Sequence, residues 1–170
     1  HFIKEFNEAV YAHFPDVQTI AEESTSYNRV SFPTNEGGLG FGLKWMMGWM
    51  NDNLQFFKKD PVYRRHHHNE ITFSLAYTFT EHFMLPLSHD EVVYGKKSLL
   101  EKMPGDSWQQ FANLRLLFSW MYLHPGAKLI FMGGEFGQRQ EWQFESQLNW
   151  WEAGSESHHG VFEVIKSLNR

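Results

Sequence analysis

Apolar residues fill four short runs along the chain, at residues 17–21, 37–45, 83–87 and 127–132. The first, third and fourth runs lead directly into acidic side chains: Glu22 and Glu23, Asp90 and Glu91, and Glu135. Uninterrupted apolar runs of this length are typical of parallel strands that are covered on both faces. The pattern therefore predicts four buried strands, three of which end in carboxylates.

Segments with helical spacing of apolar residues alternate with these runs. They predict helices at 2–12, 47–60, 107–123 and about 160–169, and residues 69–81 also favour a helix. The clearest is 107–123, where Ser107 is expected to cap the helix and Gln110 has the capping-box spacing. Its apolar face is expected to begin at Trp108.

Strands that alternate with helices predict parallel βα units and an α/β fold. The 170 residues form one predicted domain, with four strands, or half of an eight-stranded (β/α)8 barrel. A whole barrel needs about 250 residues, and its catalytic groups lie at the carboxyl ends of the strands. An open doubly wound sheet would also bind ligands there, but the chain has no glycine-rich phosphate motif.

Composition excludes several classes of protein. The net charge is −5, from 15 basic and 20 acidic residues, with no dense basic run, which argues against a nucleic-acid partner. Cysteine is absent, which fits a reducing compartment, and we expect a cytoplasmic protein. The most apolar stretch, 114–123, is shorter than the about 20 residues that span a membrane.

Carboxylates at two strand ends suggest sugar chemistry, in which one acid protonates the leaving oxygen and another supports the anomeric carbon. Glu22 and Asp90 fit these roles, and a partly buried glutamate would gain the raised pKa that a proton donor needs. Surface caps or salt bridges are an equally good interpretation of the spacing alone. His89 could donate to a substrate hydroxyl or serve a structural hydrogen bond. The three adjacent histidines at 66–68 do not predict a metal site, because adjacent residues do not share a face.

Several longer motifs resemble the glucan branching enzymes of the α-amylase superfamily. TIAEEST (19–25) resembles their strand-five motif and LPLSHDEVVYGKKSL (85–99) their strand-seven motif. GGLGFGLKWMMGWMNDNL (37–54), MPGDSWQQFANLR (103–115) and FMGGEFGQRQEW (131–142) extend the likeness, which covers about residues 4–152. The resemblance implies the carboxyl-terminal half of the catalytic barrel, strands five to eight.

The resemblance also implies roles for single residues. Glu22 corresponds to the general acid/base, Asp90 to the carboxylate that stabilises the transition state, and His89 to a hydrogen-bond donor to the same sugar. Glu23 corresponds to a supporting or structural residue. The implied reaction transfers an α-1,4-glucan chain to a 6-hydroxyl with retained configuration, and it needs no metal or organic cofactor. The implied partner is an α-glucan such as glycogen or amylose.

The chain departs from this family in one respect that matters for chemistry. The family nucleophile is an Asp in an Arg-x-Asp setting after strand four, and no Asp here has an Arg two residues before it. The strand-three motif and the flanking β domains are also missing, so we expect the isolated chain to be inactive. A hydrolase of the same superfamily, of isoamylase or trehalose-forming type, and a non-catalytic glucan-binding or self-associating fragment remain alternatives. Open edges at 17–21 and 127–132 predict a dimer or a soluble aggregate.

Overall fold

Four parallel strands form one sheet in the computed structural model, which describes all 170 residues. The strands are Ile20–Ala21 (β1), Leu43–Trp45 (β2), Phe83–Leu87 (β3) and Ala127–Ile130 (β4), and they lie side by side in chain order. Each strand falls within one of the four predicted runs. The parallel α/β arrangement is therefore confirmed, with β1 and β4 as the two edges of the sheet.

Helices connect the strands. They are Phe2–His13 (α1), Met47–Lys58 (α2), Pro61–Arg64 (α3), His68–Thr72 (α4), Ser107–Leu123 (α5) and Glu156–Leu168 (α6). Short 3-10 turns follow at Thr34–Glu36, Phe73–Ala76, His89–Glu91, Gly134–Phe136 and Glu152–Gly154. The turns at His89–Glu91 and Gly134–Phe136 lie just after β3 and β4, where the chain leaves the sheet.

The core lies between the sheet and helices α2, α5 and α6. Leu85 and Leu87 of β3 are fully or almost fully buried, as are Trp49 of α2 and Leu117 of α5. Val161 of α6 completes this cluster. Burial of each such side chain contributes about 1.5–3 kcal/mol to stability. This packing therefore holds β3 in place, and with it the turn at His89–Glu91 that follows the strand.

Several local predictions are wrong in detail. The predicted helix at 69–81 breaks into α4 and a 3-10 turn, and residues 77–81 leave the helix before β3. The cap of α5 is Asp106 rather than Ser107, because the Asp106 carboxylate accepts from the Gln109 N–H and completes the box one residue earlier. Trp108 does not join the buried face of α5, since it is 74% exposed.

The amino-terminal part of the chain is more exposed than its apolar pattern predicts. Phe2 and Phe6 stack on each other on the outer side of α1, yet both are exposed. Val17 and Ile20 of the first predicted run are exposed too, and β1 has only two residues. The run at 37–45 is also shortened, because Gly37 and Gly40 adopt positive φ and form turns before β2. The expected buried first strand is thus an open edge.

Candidate active site at the carboxyl ends of the strands

Parallel pairing brings the carboxyl ends of all four strands to one edge of the sheet. Ala21 lies opposite Lys44, and Lys44 lies opposite Phe83, so β3 continues for four further residues, to Leu87, beyond the level of β1. At about 3.3 Å per residue this is a stagger of roughly 13 Å. A stagger of this kind accompanies the tilt of strands in barrels.

The turn after β3 buries two of its polar side chains and leaves two partly exposed. The Glu91 carboxylate accepts hydrogen bonds from the N–H and the hydroxyl of Ser88, each at 2.7 Å, and the Ser88 hydroxyl accepts from the Asp90 N–H at 3.3 Å. Glu91 and Ser88 are buried by this capping box. His89 and Asp90 are left about half-exposed, at 47% and 49% of their side-chain surface.

His89 lies in a small aromatic cluster. Its ring centre is 5.9 Å from that of Phe131 and 6.1 Å from that of Trp142, and these two rings meet edge to face at 5.1 Å. The His89 Nε2 atom is 3.4 Å from Asp90 Oδ1. The cluster limits the rotation of the imidazole, so a donor and an acceptor are held side by side at the end of β3.

The two glutamates after β1 differ in their surroundings. Glu23 Oε2 lies 2.7 Å from the Nζ atom of Lys44, and Glu23 also accepts from the Thr25 N–H at 2.7 Å. The bond to Lys44, followed by the bonds to Thr25, lowers the pKa of Glu23 to about 2. A carboxylate held ionised in this way is a poor proton donor, so Glu22 is the better candidate of the pair.

Glu22 is solvent-exposed in this structure. The partial burial that the sequence predicts for this residue is therefore wrong for the chain as it stands, because β1 is an edge strand of the sheet and Ile20 in it is exposed too. This exposure could not be predicted from the sequence, because the apolar run before Glu22 has the composition of a covered strand.

The segment after Glu23 is anchored by another carboxylate that sequence reasoning missed. Glu81, at the start of the turn into β3, accepts from the N–H groups of Val30 and Ser31 at 2.9 and 2.8 Å, and from the Ser31 hydroxyl at 2.5 Å. These bonds lower the pKa of Glu81 against the opposing effect of its burial. Lys44 and Glu81 together hold the loop that follows Glu22.

Glu23 and Asp90 line two different cavities. Glu23 and Lys44 border one of about 320 Å³. Asp90 borders another of about 470 Å³, together with residues of α2 and with Lys96 and Lys102. Glu22 lines neither cavity. The structure thus places Glu22 and Asp90 at the same edge of the sheet but does not join them in one pocket.

A lysine holds the loop after Asp90. The Lys102 ammonium donates to the carbonyl oxygens of Glu91 and Lys97 at 2.5 and 2.6 Å, and also to that of Lys96. Burial, with repulsion from Lys58 as the next cause, lowers the pKa of Lys102 to about 8. This loop therefore has a fixed shape even though several of its side chains are exposed.

The histidine triplet makes separate local contacts. His66 Nε2 lies 2.9 Å from the Arg65 Nε atom, and His67 Nδ1 lies 3.1 Å from the Glu70 carboxylate, which also pairs with Lys59 at 2.8 Å. The structure contains no group of three histidine, cysteine or acidic side chains arranged to hold a metal ion. None of its helices combines the length and the apolar character required to cross a membrane.

Comparisons with known proteins agree with the strand-end motifs. The chain is 62% identical over 168 residues to the 1,4-alpha-glucan branching enzyme GlgB of Aquifex aeolicus, covering 99% of the chain and 27% of that protein. It is 58% identical over 170 residues to the enzyme of the same name from Myxococcus xanthus, covering 100% of the chain and 23% of that protein. No family model matches the chain.

The relatives are much longer than this chain, which spans about a quarter of their length. The identity is spread over almost all of the 170 residues and is not confined to the His89–Asp90 motif. The resemblance to 1,4-α-glucan branching enzymes that the sequence motifs predict is therefore confirmed across nearly the whole chain.

Proposed function

We propose that the chain forms part of a glucan branching enzyme and supplies half of its catalytic (β/α)8 barrel. The main support is the placement of His89 and Asp90 beyond β3, half-exposed and held by a capping box, in a chain that is about 60% identical to named branching enzymes. The open four-stranded sheet has the strand number of half a barrel. Its free edges are where the remaining strands would pair.

The proposed roles follow the chemistry of retaining transfer. Glu22 donates its proton to the glycosidic oxygen of an α-1,4 bond while a nucleophilic carboxylate bonds to the anomeric carbon. Glu22, now ionised, takes the proton from the 6-hydroxyl of an acceptor glucan, whose oxygen attacks the anomeric carbon and releases the nucleophile. Asp90 stabilises the positive charge on the sugar in both transition states, and His89 donates a hydrogen bond to the same sugar.

The nucleophile must come from outside these 170 residues, because no Asp of the chain has the Arg-x-Asp setting that the resemblance implies. Acid–base assistance alone cannot hold the donor chain covalently. We therefore propose that the chain alone forms no α-1,6 bonds. The protein that contains it would act on α-glucans such as glycogen or amylose, without a cofactor, in the cytoplasm.

Product analysis tests the proposed activity. The longer protein that carries this chain is incubated with amylose, and both α-1,6 linkages and reducing ends are counted. Branching raises the first and leaves the second unchanged. The absence of new α-1,6 linkages would instead favour a hydrolase of the same superfamily, of the isoamylase or trehalose-forming type. On glycogen, whose α-1,6 bonds it cleaves, an isoamylase would raise the number of reducing ends, and a trehalose-forming enzyme would release trehalose, which has no reducing end.

A non-catalytic role for the chain alone has support of its own. Glu22 is exposed and lines neither of the cavities that Glu23 and Asp90 border, so the acid and the stabilising carboxylate do not act on a common pocket here. Glucan binding or self-association would then be what the isolated chain does. Detection of α-1,6 linkages after incubation of the pure 170-residue chain with amylose would contradict this view.

Self-association is the second part of this proposal. The amino-terminal part of the chain, which includes the edge strand β1, exposes several apolar side chains, among them Phe2, Phe6, Val17 and Ile20. Unpaired strand edges bind other strands, and apolar surface of this kind gains about 1.5–3 kcal/mol for each large side chain that is covered. A second copy of the chain, related by two-fold symmetry, is the proposed occupant of this surface.

A further inference from the structure

The loop at residues 91–97 follows Asp90 directly and has little packing beneath it. Residues 94–97 are exposed, and a cavity of about 470 Å³ is bordered by the loop and by α2. Lys97 has a φ of 64°, in the left-handed region that is uncommon for residues other than glycine. A loop in this conformation keeps one shape only where bonds from other parts of the chain hold it.

Two charged side chains supply such bonds, each to backbone groups of opposite partial charge. The Glu141 carboxylate accepts from the N–H groups of Gly95 and Lys97 at 3.0 and 2.5 Å. The Lys102 ammonium donates to carbonyl oxygens at both ends of the loop, in Glu91 at 2.5 Å and in Lys97 at 2.6 Å. Hydrogen bonds of this kind, in which one partner is ionised, are stronger than bonds between neutral groups. The loop is therefore held mainly by charge and not by packing.

Lys102 is carried by a segment that is fixed in the core. Its N–H donates to the Ser98 carbonyl at 3.1 Å. Leu100 on one side of it is fully buried and Met103 on the other is 2% exposed, and both belong to the core cluster. The stem of Lys102 therefore starts from a fixed point, and its ammonium links the core to a loop that stands over a cavity.

This link reaches Asp90 through the residue that directly follows it, Glu91. The Glu91 carboxylate accepts from the N–H and the hydroxyl of Ser88, and its carbonyl oxygen accepts from Lys102. Loss of the second bond would free one side of the turn that carries His89 and Asp90. A shift of a catalytic group by about 1 Å can lower a rate about 100-fold.

We propose that Lys102 is a positioning residue for Asp90. Its ammonium acts as a tethered cation that gathers the carbonyl oxygens of Glu91, Lys96 and Lys97. In this way it keeps Asp90 at the place where the sugar is stabilised, without touching the glucan itself. This proposal rests on the proposed function for the reaction in which Asp90 takes part.

Chemical rescue in the longer protein tests this role. Lys102→Ala and Lys102→Met should each lower kcat for branching of amylose about 100-fold and leave KM nearly unchanged, because the contacts with the glucan remain. Ethylammonium chloride should restore much of the rate of Lys102→Ala, since the space left by the side chain admits a small ammonium ion to the same carbonyl oxygens. It should not restore the rate of Lys102→Met, in which the side chain fills that space and donates no bond.

Two controls separate rescue from general effects of salt and charge. Tetramethylammonium chloride at the same concentration should restore nothing, because this ion has no N–H group. Lys58→Ala should keep the kcat of the parent protein and should not respond to ethylammonium. Lys58 borders the same cavity from α2 and carries the same charge, but it donates no bond to the loop.

Two results would overturn the positioning role. The first is a Lys102→Met protein with the kcat of the parent, and the second is a folded Lys102→Ala protein whose lost rate ethylammonium does not restore. Neither result bears on whether the parent forms α-1,6 bonds, which the same assay measures without any substitution. If the parent forms none, the proposed function fails, and amide hydrogen exchange at residues 91–97 still decides the role of Lys102. Exchange there should accelerate in Lys102→Met, and unchanged exchange would overturn the proposal.

Discussion

Replacing Lys44 with methionine should destabilise the chain by about 2 kcal/mol at neutral pH. Lys44 lies in the middle of β2, where its side chain is 9% exposed, and its ammonium is 2.7 Å from a Glu23 carboxylate that is 24% exposed. Methionine preserves most of the aliphatic stem but removes the charge. The Glu23 carboxylate would then keep its Thr25 bonds and lose its only cation within ion-pair distance.

The magnitude follows from the titration of Glu23. Its pKa falls from 4.5 to about 2, and each pH unit corresponds to about 1.4 kcal/mol, which gives an upper value of about 3 kcal/mol for all of its partners together. The Thr25 bonds survive the substitution and solvent reaches a quarter of the Glu23 side chain, so the share lost with Lys44 is smaller. Removal of one partner of a fully buried ion pair costs about 3–5 kcal/mol. The Lys44–Glu23 pair is only partly buried, so removal of Lys44 should cost less than that.

The effect should depend on pH in a defined direction. The folded-state pKa of Glu23 is lowered, so its contribution to stability is complete above the unfolded value of 4.5 and is lost as the pH falls towards 2. The difference between the parent chain and Lys44→Met should therefore shrink by about 1 kcal/mol between pH 7 and pH 3. Groups that Lys44 does not influence act on both proteins and cancel in the difference, whereas Glu81, whose pKa Lys44 also lowers, adds to it in the same direction.

Urea unfolding, followed by circular dichroism at several pH values, measures this difference. Lys128→Met is a comparison with another strand lysine, whose ammonium donates to the His124 and Gly126 carbonyls and pairs with no carboxylate. Burial lowers the pKa of His124 and Lys128 lowers it further, so the cost of Lys128→Met should change with pH only through the titration of His124. The control for the ion pair itself is Lys44→Met in a Glu23→Gln background, where the cost should depend much less on pH. A Lys44→Met cost that depends on pH no more in the parent chain than in that background, or a coupling below about 0.5 kcal/mol in a double-mutant cycle with Glu23→Gln, would refute the ion-pair reasoning.

Three other predictions concern the candidate site and the sheet edges. In the longer protein, Glu22→Gln should lower the branching rate by about 100- to 10,000-fold, because it removes the proton donor. Glu23→Gln should lower the rate much less. The reverse order would show that the wrong glutamate is assigned. The Lys102 ammonium should titrate near pH 8 in ¹³C NMR, with Lys102→Arg to assign its signal. Between pH 8 and 10.5 the unfolded chain keeps this proton and the folded chain loses it, so Lys102 makes the free energy of unfolding rise with pH. A midpoint near 10.5 would exclude the buried position. Light scattering after gel filtration should show a dimer or a larger soluble species, and a cooperatively melting monomer at all concentrations would contradict the open-edge argument.

Sequence patterns correctly predicted the limits of elements that depend mainly on neighbouring residues. The limits of α5 coincide with the predicted 107–123, because its apolar spacing and the Pro125–Gly126 stop are properties of neighbouring residues. The cap was missed by one position because Asp106 and Ser107 each have a glutamine three residues later. Both spacings satisfy the same rule, and only the backbone geometry selects Asp106.

Whether an apolar face is covered could not be predicted from periodicity. Phe2 and Phe6 have the spacing of a buried helix face, and Trp108 continues the apolar stripe of α5, yet all three are exposed. A repeat of apolar residues identifies which side of a helix would be buried against a partner. It contains no information on whether the same chain supplies that partner, so these residues become candidates for contact surfaces instead of core.

In the candidate site, too, features set by neighbouring residues could be predicted, and features set by distant contacts could not. His89, Asp90 and Glu22 could be selected from the sequence because they directly follow strands. The groups that hold their loops could not, because Glu141 bonds to an N–H group 46 residues away and Glu81 to one 51 residues away. One signal was present in the sequence, namely Lys44, a charged residue inside an apolar strand, which needs a buried partner.

These loop anchors explain how the chain can keep its candidate catalytic groups free. A carboxylate that stabilises its own loop is committed to protein partners and cannot exchange them for a substrate without loss of stability. After β1, Glu23 is tied to Lys44 and Glu22 is left exposed. After β3, Glu91 is tied to Ser88, and Asp90 is left half-exposed. In both places the neighbouring acid, Glu23 or Glu91, accepts the hydrogen bonds or the ion pair that hold the loop. The other acid, Glu22 or Asp90, is left available for a substrate. Substitution of Glu23 or Glu91 should therefore lower the stability of the chain more than it changes the rate of any reaction.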